Sequence, residues 1–290
     1  MKIILITDIH YGENTNYPNV GGADYVNAFG EQFQHFFPHL LSEMEQGDLV
    51  VNLGDFIHDE NLEKDIETYK NALTFFSVTT LTKHVLGNHD VRNIPREKWI
   101  ELVGVKKSYH SFDLGGYHHI ILDGNRAERR GPFYIGEEQL VWLEQDLAET
   151  SLKTIIYCHF PMDNQNMDSN YYFKEHPESA SLANKHFVRN ILKKSGKVLA
   201  VFSGHTHFLS QQVVNDTIHC TIPSFSENNG NHEPNGQYAV VVVENGKVEI
   251  EIKIAKKLRC NKGWGIKAIY STIINIWNYL PQDQAKDLKT

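Results

Sequence analysis

Cysteine, positive charge and long apolar runs are all scarce in this sequence, and each shortage closes off a class of protein. Only Cys158, Cys220 and Cys260 occur among 290 residues. An odd, widely spaced set makes no disulfide framework, and each of the three reads as a small buried apolar residue. Against 36 Asp and Glu stand 28 Lys and Arg, a formal net charge of −8. That balance argues against nucleic acid as a partner, because non-specific binding to it needs a basic surface. No uninterrupted apolar stretch is long enough to span a bilayer, so no transmembrane segment is expected. The opening MKIILITDIHYG has a short apolar run that Asp8 and His10 end too early for a signal peptide, and the expected location is cytoplasmic. No internal repeat or low-complexity tract is present.

What remains is an ordinary globular composition, 41% hydrophobic and 22% charged, over a length that can bury a sizeable core. Residues 3–6, the DLVVNLGD stretch and KHVLGNHD read as buried strands. Residues 32–45 and 62–78 carry apolar side chains at helical spacing between them. Strand and helix alternate over the first ninety or so residues, a pattern that favours parallel strands with crossover helices. SYHSFDLGGYHHIILD predicts an antiparallel hairpin turning at Gly115-Gly116, and GEEQLVWLEQDLAE an amphipathic helix. KTIIYCH and KVLAVFSGH are further buried strands, with a helix near 183–193 between them. SQQVVN, IHCTIPS, YAVVVVE and KVEIEIKI are short late strands. The fold class is α/β, richer in strand towards the end.

Two long polar loops, 11–30 and 163–180, have the length of functional segments. Tyr171, Tyr172 and Phe173 in the second suit a cover that stacks on a base or aryl group. Residues 263–280 place apolar side chains at helical spacing with one charge, Lys267. This is either a helix packed on the domain or a face for a homodimer or a membrane surface. The division expected is 1–255 as the catalytic domain and 256–290 as a helical extension.

Chemistry gathers at strand ends. Asp8 and His10 follow the first strand, Asp55 the second, and Asn88, His89 and Asp90 the third. His159 follows KTIIYC, and His205 and His207 follow KVLAVFSG. Side chains at i and i+2 of a strand share a face, so each spaced pair is expected to converge on one point. In α/β sheets these carboxyl ends are where ligands bind. A pocket of carboxylate, amide and imidazole groups suits Mn, Fe, Zn or Co better than Ca or Mg. It offers more ligands than one ion can use, so two ions sharing one carboxylate is the economical arrangement. Any one of these short motifs alone has a bland reading as turn residues. His58 is either a neighbour of Asp55 or a loop residue, and most of the other histidines read as ordinary polar groups.

The ordered series DIH, GD, GNHD, H, GHTH, spanning residues 8 to 207, resembles the calcineurin-like metallophosphoesterase superfamily. The resemblance implies two mixed β-sheets packed as a sandwich and flanked by helices, a four-layer αββα fold. It implies two divalent metal ions per chain, Mn, Fe or Zn. Asp8, His10 and His207 would hold the first, Asn88, His159 and His205 the second, and Asp55 would bridge them. His89 would face the substrate as the catalytic residue, with Asp90 orienting it through a hydrogen bond. The implied reaction is hydrolysis of a small-molecule phosphate ester by a metal-bridging hydroxide attacking phosphorus. The EEQLVWLEQDL and IPSFSENNGNHEPNGQY segments lean towards a phosphodiesterase acting on a nucleotide or glycerophosphodiester-like substrate. The alternatives are a phosphomonoesterase, a non-catalytic metal-binding scaffold and, against the acidic balance, a nuclease. Arg126, Arg129 and Arg130, in DGNRAERRG, are either a solvated loop or a clamp for a second phosphate.

Overall fold

The computed structural model describes residues 1–12, 15–16, 27–28, 30–77, 81–125, 131–227 and 233–257. In chain order the elements are β1 Lys2–Ile6, β2 Thr15–Asn16, β3 Asn27–Ala28, α1 Phe33–Met44, β4 Leu49–Asn52, α2 Leu62–Phe76, β5 Thr82–His84, α3 Arg96–Val103, β6 His110–Leu114, β7 Tyr117–Leu122, α4 Glu137–Glu149, β8 Thr154–Cys158, α5 Lys185–Ser195, β9 Val198–Ser203, β10 Ser210–Val214, β11 Thr217–Thr221, β12 Gln237–Glu244 and β13 Lys247–Ile254.

Two mixed sheets form the centre. One has five strands in the order β13-β12-β1-β4-β5, and the other has six in the order β10-β11-β9-β8-β7-β6. β1, β4 and β5 run parallel, as do β7, β8, β9 and β11. The antiparallel partners lie at the margins: β12 beside β1, and the β6–β7 hairpin turning at Gly115-Gly116.

The strands are apolar on both faces because both faces are covered. Ile3 and Leu5 of β1 face the inter-sheet core with Leu49, Val51, Ile155, Tyr157 and Phe202. Ile4 and Ile6 point the other way, into a layer shared with Phe33, Phe36 and Leu40 of α1, Tyr69 of α2 and Trp99 of α3. Across the second sheet, Ile156 and Cys158 meet Leu143 and Leu147 of α4 and Val188 and Leu192 of α5. Four layers follow from this period-two alternation. Cys158 and Cys220 are buried free thiols, as expected.

α3 was not anticipated. It begins after Pro95 and ends at Gly104, which adopts a left-handed φ of 73°, start and stop signals that were present in the sequence. Met1–Lys256 forms one compact unit. The helix expected over 263–280, with its dimer face, lies outside the described residues, as do Arg126, Arg129, Arg130 and Cys260. Among the described residues no helix is long and apolar enough to cross a membrane.

A pH-dependent contribution to stability sits on the second sheet. The His118 ring lies between Asp113 Oδ1, 2.6 Å from Nδ1, and Asp146 Oδ2, 2.8 Å from Nε2. Burial opposes the charged ring, but the hydrogen bonds and charges of Asp146 and Asp113 prevail and raise its pKa above the ordinary histidine value. A raised folded-state pKa stabilises fully below the unfolded value, and that contribution is lost as pH rises through the folded one. His118→Gln is therefore expected to lower the melting temperature more near pH ~5.5 than near pH ~8.5. Asp113 is 64% exposed and screened by solvent, so the difference should be about 2 °C in thermal unfolding.

Candidate metal centre

Seven of the expected residues lie at the carboxyl ends of β1, β4, β8 and β9 or in the loop after β5, where the two sheets meet. The strand tips are laced together by backbone hydrogen bonds. Asp8 N donates to Gly54 O at 3.0 Å, Leu53 N to Ile6 O at 2.8 Å and Gly204 N to His159 O at 2.9 Å. Glycines permit this close approach. A Cβ on Gly87 would stand 2.1 Å from the amide nitrogen of Asp55, and one on Gly204 would stand 2.0 Å from Thr7 Oγ1.

Convergence at the tips does not come from strand geometry. β1 ends at Ile6 and β9 at Ser203, so the paired residues lie beyond the strands. Asp8, His10, Asp55, His205 and His207 all have positive φ, between 46° and 71°. Non-glycine residues adopt this region rarely, and it clusters at functional sites. Nor do His205 and His207 converge on one point. The turn sends them into separate groups.

The first group is Asp8, His10 and His207, and the second is Asp55, His159 and His205. Within each, the ligand-capable atoms lie within 4.8 Å of one another. In the first, His207 Nε2 is 3.4 Å from His10 Nε2 and 3.3 Å from Asp8 Oδ1. In the second, His159 Nε2 is 3.3 Å from Asp55 Oδ2. Hydrogen bonds on the far sides of the rings decide which nitrogen faces each group. His159 Nδ1 donates to the Leu53 carbonyl at 2.9 Å, which turns Nε2 inward. His207 Nδ1 donates to Glu227 Oε2 at 2.5 Å, which also leaves Nε2 inward. His205 Nε2 donates to the Ser179 carbonyl at 2.9 Å, which leaves Nδ1. Metal-ligating imidazoles are held in this way.

The residues fit a pair of cations. Asn88 Oδ1 is buried without a hydrogen-bond partner, a costly state for a polar atom unless something else satisfies it, and His159 Nε2 faces the Asp55 carboxylate without a well-aligned hydrogen bond. The acids are buried as well. Burial raises the pKa of Asp8, but the charge and hydrogen bond of His207 outweigh it and bring it to about 2. Burial likewise opposes ionisation of Asp55, and His159 and His89 pull its pKa well below the usual carboxylate range. Burial lowers His159, which Asp55 then brings up to about 9. Two buried carboxylates thus draw positive charge into the pocket, and that charge can be protons or metal ions.

The expectation for Asp90 requires correction. Its carboxylate accepts backbone amides, from Phe56 at 2.9 Å and from Gly87 at 2.9 Å. It ties the Asp55 turn to the loop after β5 and does not bond His89. The carboxylate on His89 Nδ1 belongs to Asp59, which also pairs with Arg92 at 3.2 Å. Asp59 follows the GD motif by four residues, but an irregular loop gives no sign of which side chain turns towards His89. Glu227 lies within the IPSFSENNGNHEPNGQY segment, where nothing marks it as a partner of His207. His58, left open, joins His10 and His89 in a third group of ligand-capable atoms, and burial takes its pKa down to about 4. Phe173 is buried with its ring 4.9 Å from that of His205, so it is not free to stack on a ligand, whereas Tyr172 is 42% exposed.

The family model for calcineurin-like phosphoesterases matches residues 1–209. The chain belongs to the calcineurin-like phosphoesterase family. A curated relative, an uncharacterized metallophosphoesterase of Campylobacter jejuni, is 32% identical over 92 residues, covering 31% of this chain and 20% of the relative. The chain thus spans about a fifth of that relative's length. Among solved structures, a dimetal phosphatase from Danio rerio superposes with a TM-score of 0.67 at 16% identity, over 88% of this chain and 96% of the other. A purple acid phosphatase from yellow lupin gives 0.62 at 13% identity, over 88% and 51%. GAP50, the anchor in the inner membrane complex of Plasmodium, gives 0.57 at 12% identity, over 97% and 95%. At these identities the likeness is one of fold. This calcineurin-like chain therefore has the sandwich of two mixed sheets flanked by helices that its motifs implied.

Proposed function

We propose that the protein is a metal-dependent phosphoesterase that uses two divalent ions, Mn, Fe or Zn, and acts best on small phosphodiesters. The observation that carries this reading is the pair of three-residue groups, in which hydrogen bonds behind the rings of His159, His205 and His207 turn one nitrogen of each inward. Asp8, His10 and His207 would hold one ion, and Asn88, His159 and His205 the other, with Asp55 between them. Such ions supply positive charge for the phosphoryl oxygens and acidify a water near neutral pH.

The chain's own residues do the remaining work. His89 presents Nε2 on the side away from Asp59, 4.0 Å from Asp55 Oδ2. The Nδ1 hydrogen bond to Asp59 orients the ring, and with a proton on Nε2 it would serve as the acid for the departing oxygen. Arg92 Nη2, 3.5 Å from His89 Nε2, is placed to meet a phosphoryl oxygen. Among the described residues the side-chain cation beside His89 is Arg92, and that single guanidinium supports a diester, whose phosphate carries one negative charge, over a monoester with nearly two.

The test is elemental analysis of the purified protein, then turnover of bis(p-nitrophenyl) phosphate and p-nitrophenyl phosphate with Mn²⁺ and with a chelator. Two ions per chain, chelator-sensitive activity and a kcat/KM at least ~10-fold higher for the diester are expected, a gap of about 1.4 kcal/mol in transition-state binding. A preference for the monoester would reject the substrate assignment, and metal-free activity would reject the reading as a whole.

A further inference from the structure

The segment 163–181 is fastened to the turn that carries His205 and His207. Thr206 Oγ1 donates to Gln165 Oε1 at 3.2 Å, and Asn170 Nδ2 donates to the Thr206 carbonyl at 2.9 Å. His205 Nε2 donates to the Ser179 carbonyl. The fourth link runs through Glu227, whose Oε2 accepts both His207 Nδ1, at 2.5 Å, and Tyr171 Oη, at 2.9 Å. Glu227 is buried, and the Tyr171 ring meets Phe208 edge-on, with 5.9 Å between centroids.

Two neighbouring histidines thereby turn opposite nitrogens to the pocket, His205 Nδ1 and His207 Nε2. The second orientation needs holding. His207 Nε2 lies 3.3 Å from Asp8 Oδ1, and the hydrogen bond from Nδ1 to Glu227 keeps the ring turned so that Nε2, shared with Asp8, is the nitrogen offered to an ion. A carboxylate behind a ligating imidazole also raises its basicity as a ligand.

We infer that segment 163–181, through Ser179 and through Tyr171 acting on Glu227, is a clamp that fixes these ring orientations. Glu227 and Tyr171 are then positioning residues for the ion held by Asp8, His10 and His207. The inference rests on the two-ion reading above and adds that the two ions have separable outer supports.

The experiment is calorimetric titration of the metal-free full chain with Mn²⁺. Wild type takes up two ions. E227A retains one at wild-type affinity and binds the other about 10–100-fold more weakly. Y171F weakens that same ion roughly fivefold, less than a full hydrogen bond to a charged acceptor, because Tyr171 reaches the ion only through Glu227. E227Q, which keeps the acceptor and loses the charge, falls between wild type and E227A. The melting temperature of the metal-free variants stays near wild type. Unchanged affinities for both ions, or equal weakening of both, would overturn the clamp. Uptake of fewer than two ions by wild type would instead overturn the two-ion reading. Y171F and E227Q carry the test if E227A does not fold.

Discussion

Asp55→Asn is expected to cost the protein both metal ions at once. Asn keeps the oxygen that accepts the His89 backbone amide at 2.8 Å, so the loop after β5 keeps its anchor and the loss can be read as loss of charge. Asp55 sits with His159 and His205, and His10 of the other group also contributes to its lowered pKa. Asp8 also feels both groups, through His207 and His159, so it is the proposed position between the two ions that sets Asp55 apart and makes its neutralisation hard to confine to either. Metal content per chain should fall from two to below one, and phosphoester hydrolysis by more than about 10³-fold, because water is no longer acidified from a pKa near 16 towards about 7. A variant that still held two ions would reject the shared role.

His89→Ala is expected to do the reverse, keeping both ions and losing turnover. Its ring stands 4.7 Å from that of His10, edge to face, and its Nδ1 is committed to Asp59. Loss of a general acid should lower kcat about 10²–10⁴-fold. The size should depend on the leaving group. A nitrophenolate needs little protonation as it departs and an alkoxide needs much, so the variant should retain more activity on nitrophenyl esters than on alkyl esters. Equal losses on both, or loss of metal, would assign His89 to a different task.

These two variants also mark what could be read from the chain without coordinates. The layers were legible because β1, β4, β8 and β9 are apolar on successive residues, a pattern that sheets covered on both faces require. The inner groups were legible because each stands directly after such a strand. Behind them the sequence was opaque. Glu227 lies 20 residues beyond His207 and Asp59 lies 30 before His89, both in irregular loops where no periodicity marks direction. The adjacency of Asp90 to His89 suggested a hydrogen bond that the backbone does not permit, since the carboxylate is occupied by the amides of Phe56 and Gly87. The choice of ring nitrogen in His205 and His207 depends on Ser179 and Glu227, distant partners that no local pattern encodes.

The left-handed backbone at Asp8, His10, Asp55, His205 and His207 has a consequence for how the protein acquires its ions. Such conformations cost about 1–3 kcal/mol each and persist only where the surroundings over-determine them. Here the two sheets and their interlaced tips supply that constraint through the main chain itself. The bends that aim these side chains are thus held by backbone contacts, so replacing one donor should alter the hold on an ion without undoing the turn. A set of mixed oxygen and nitrogen donors accepts several first-row metals, so its resident pair would follow the supply in its surroundings as much as the shape of the chain.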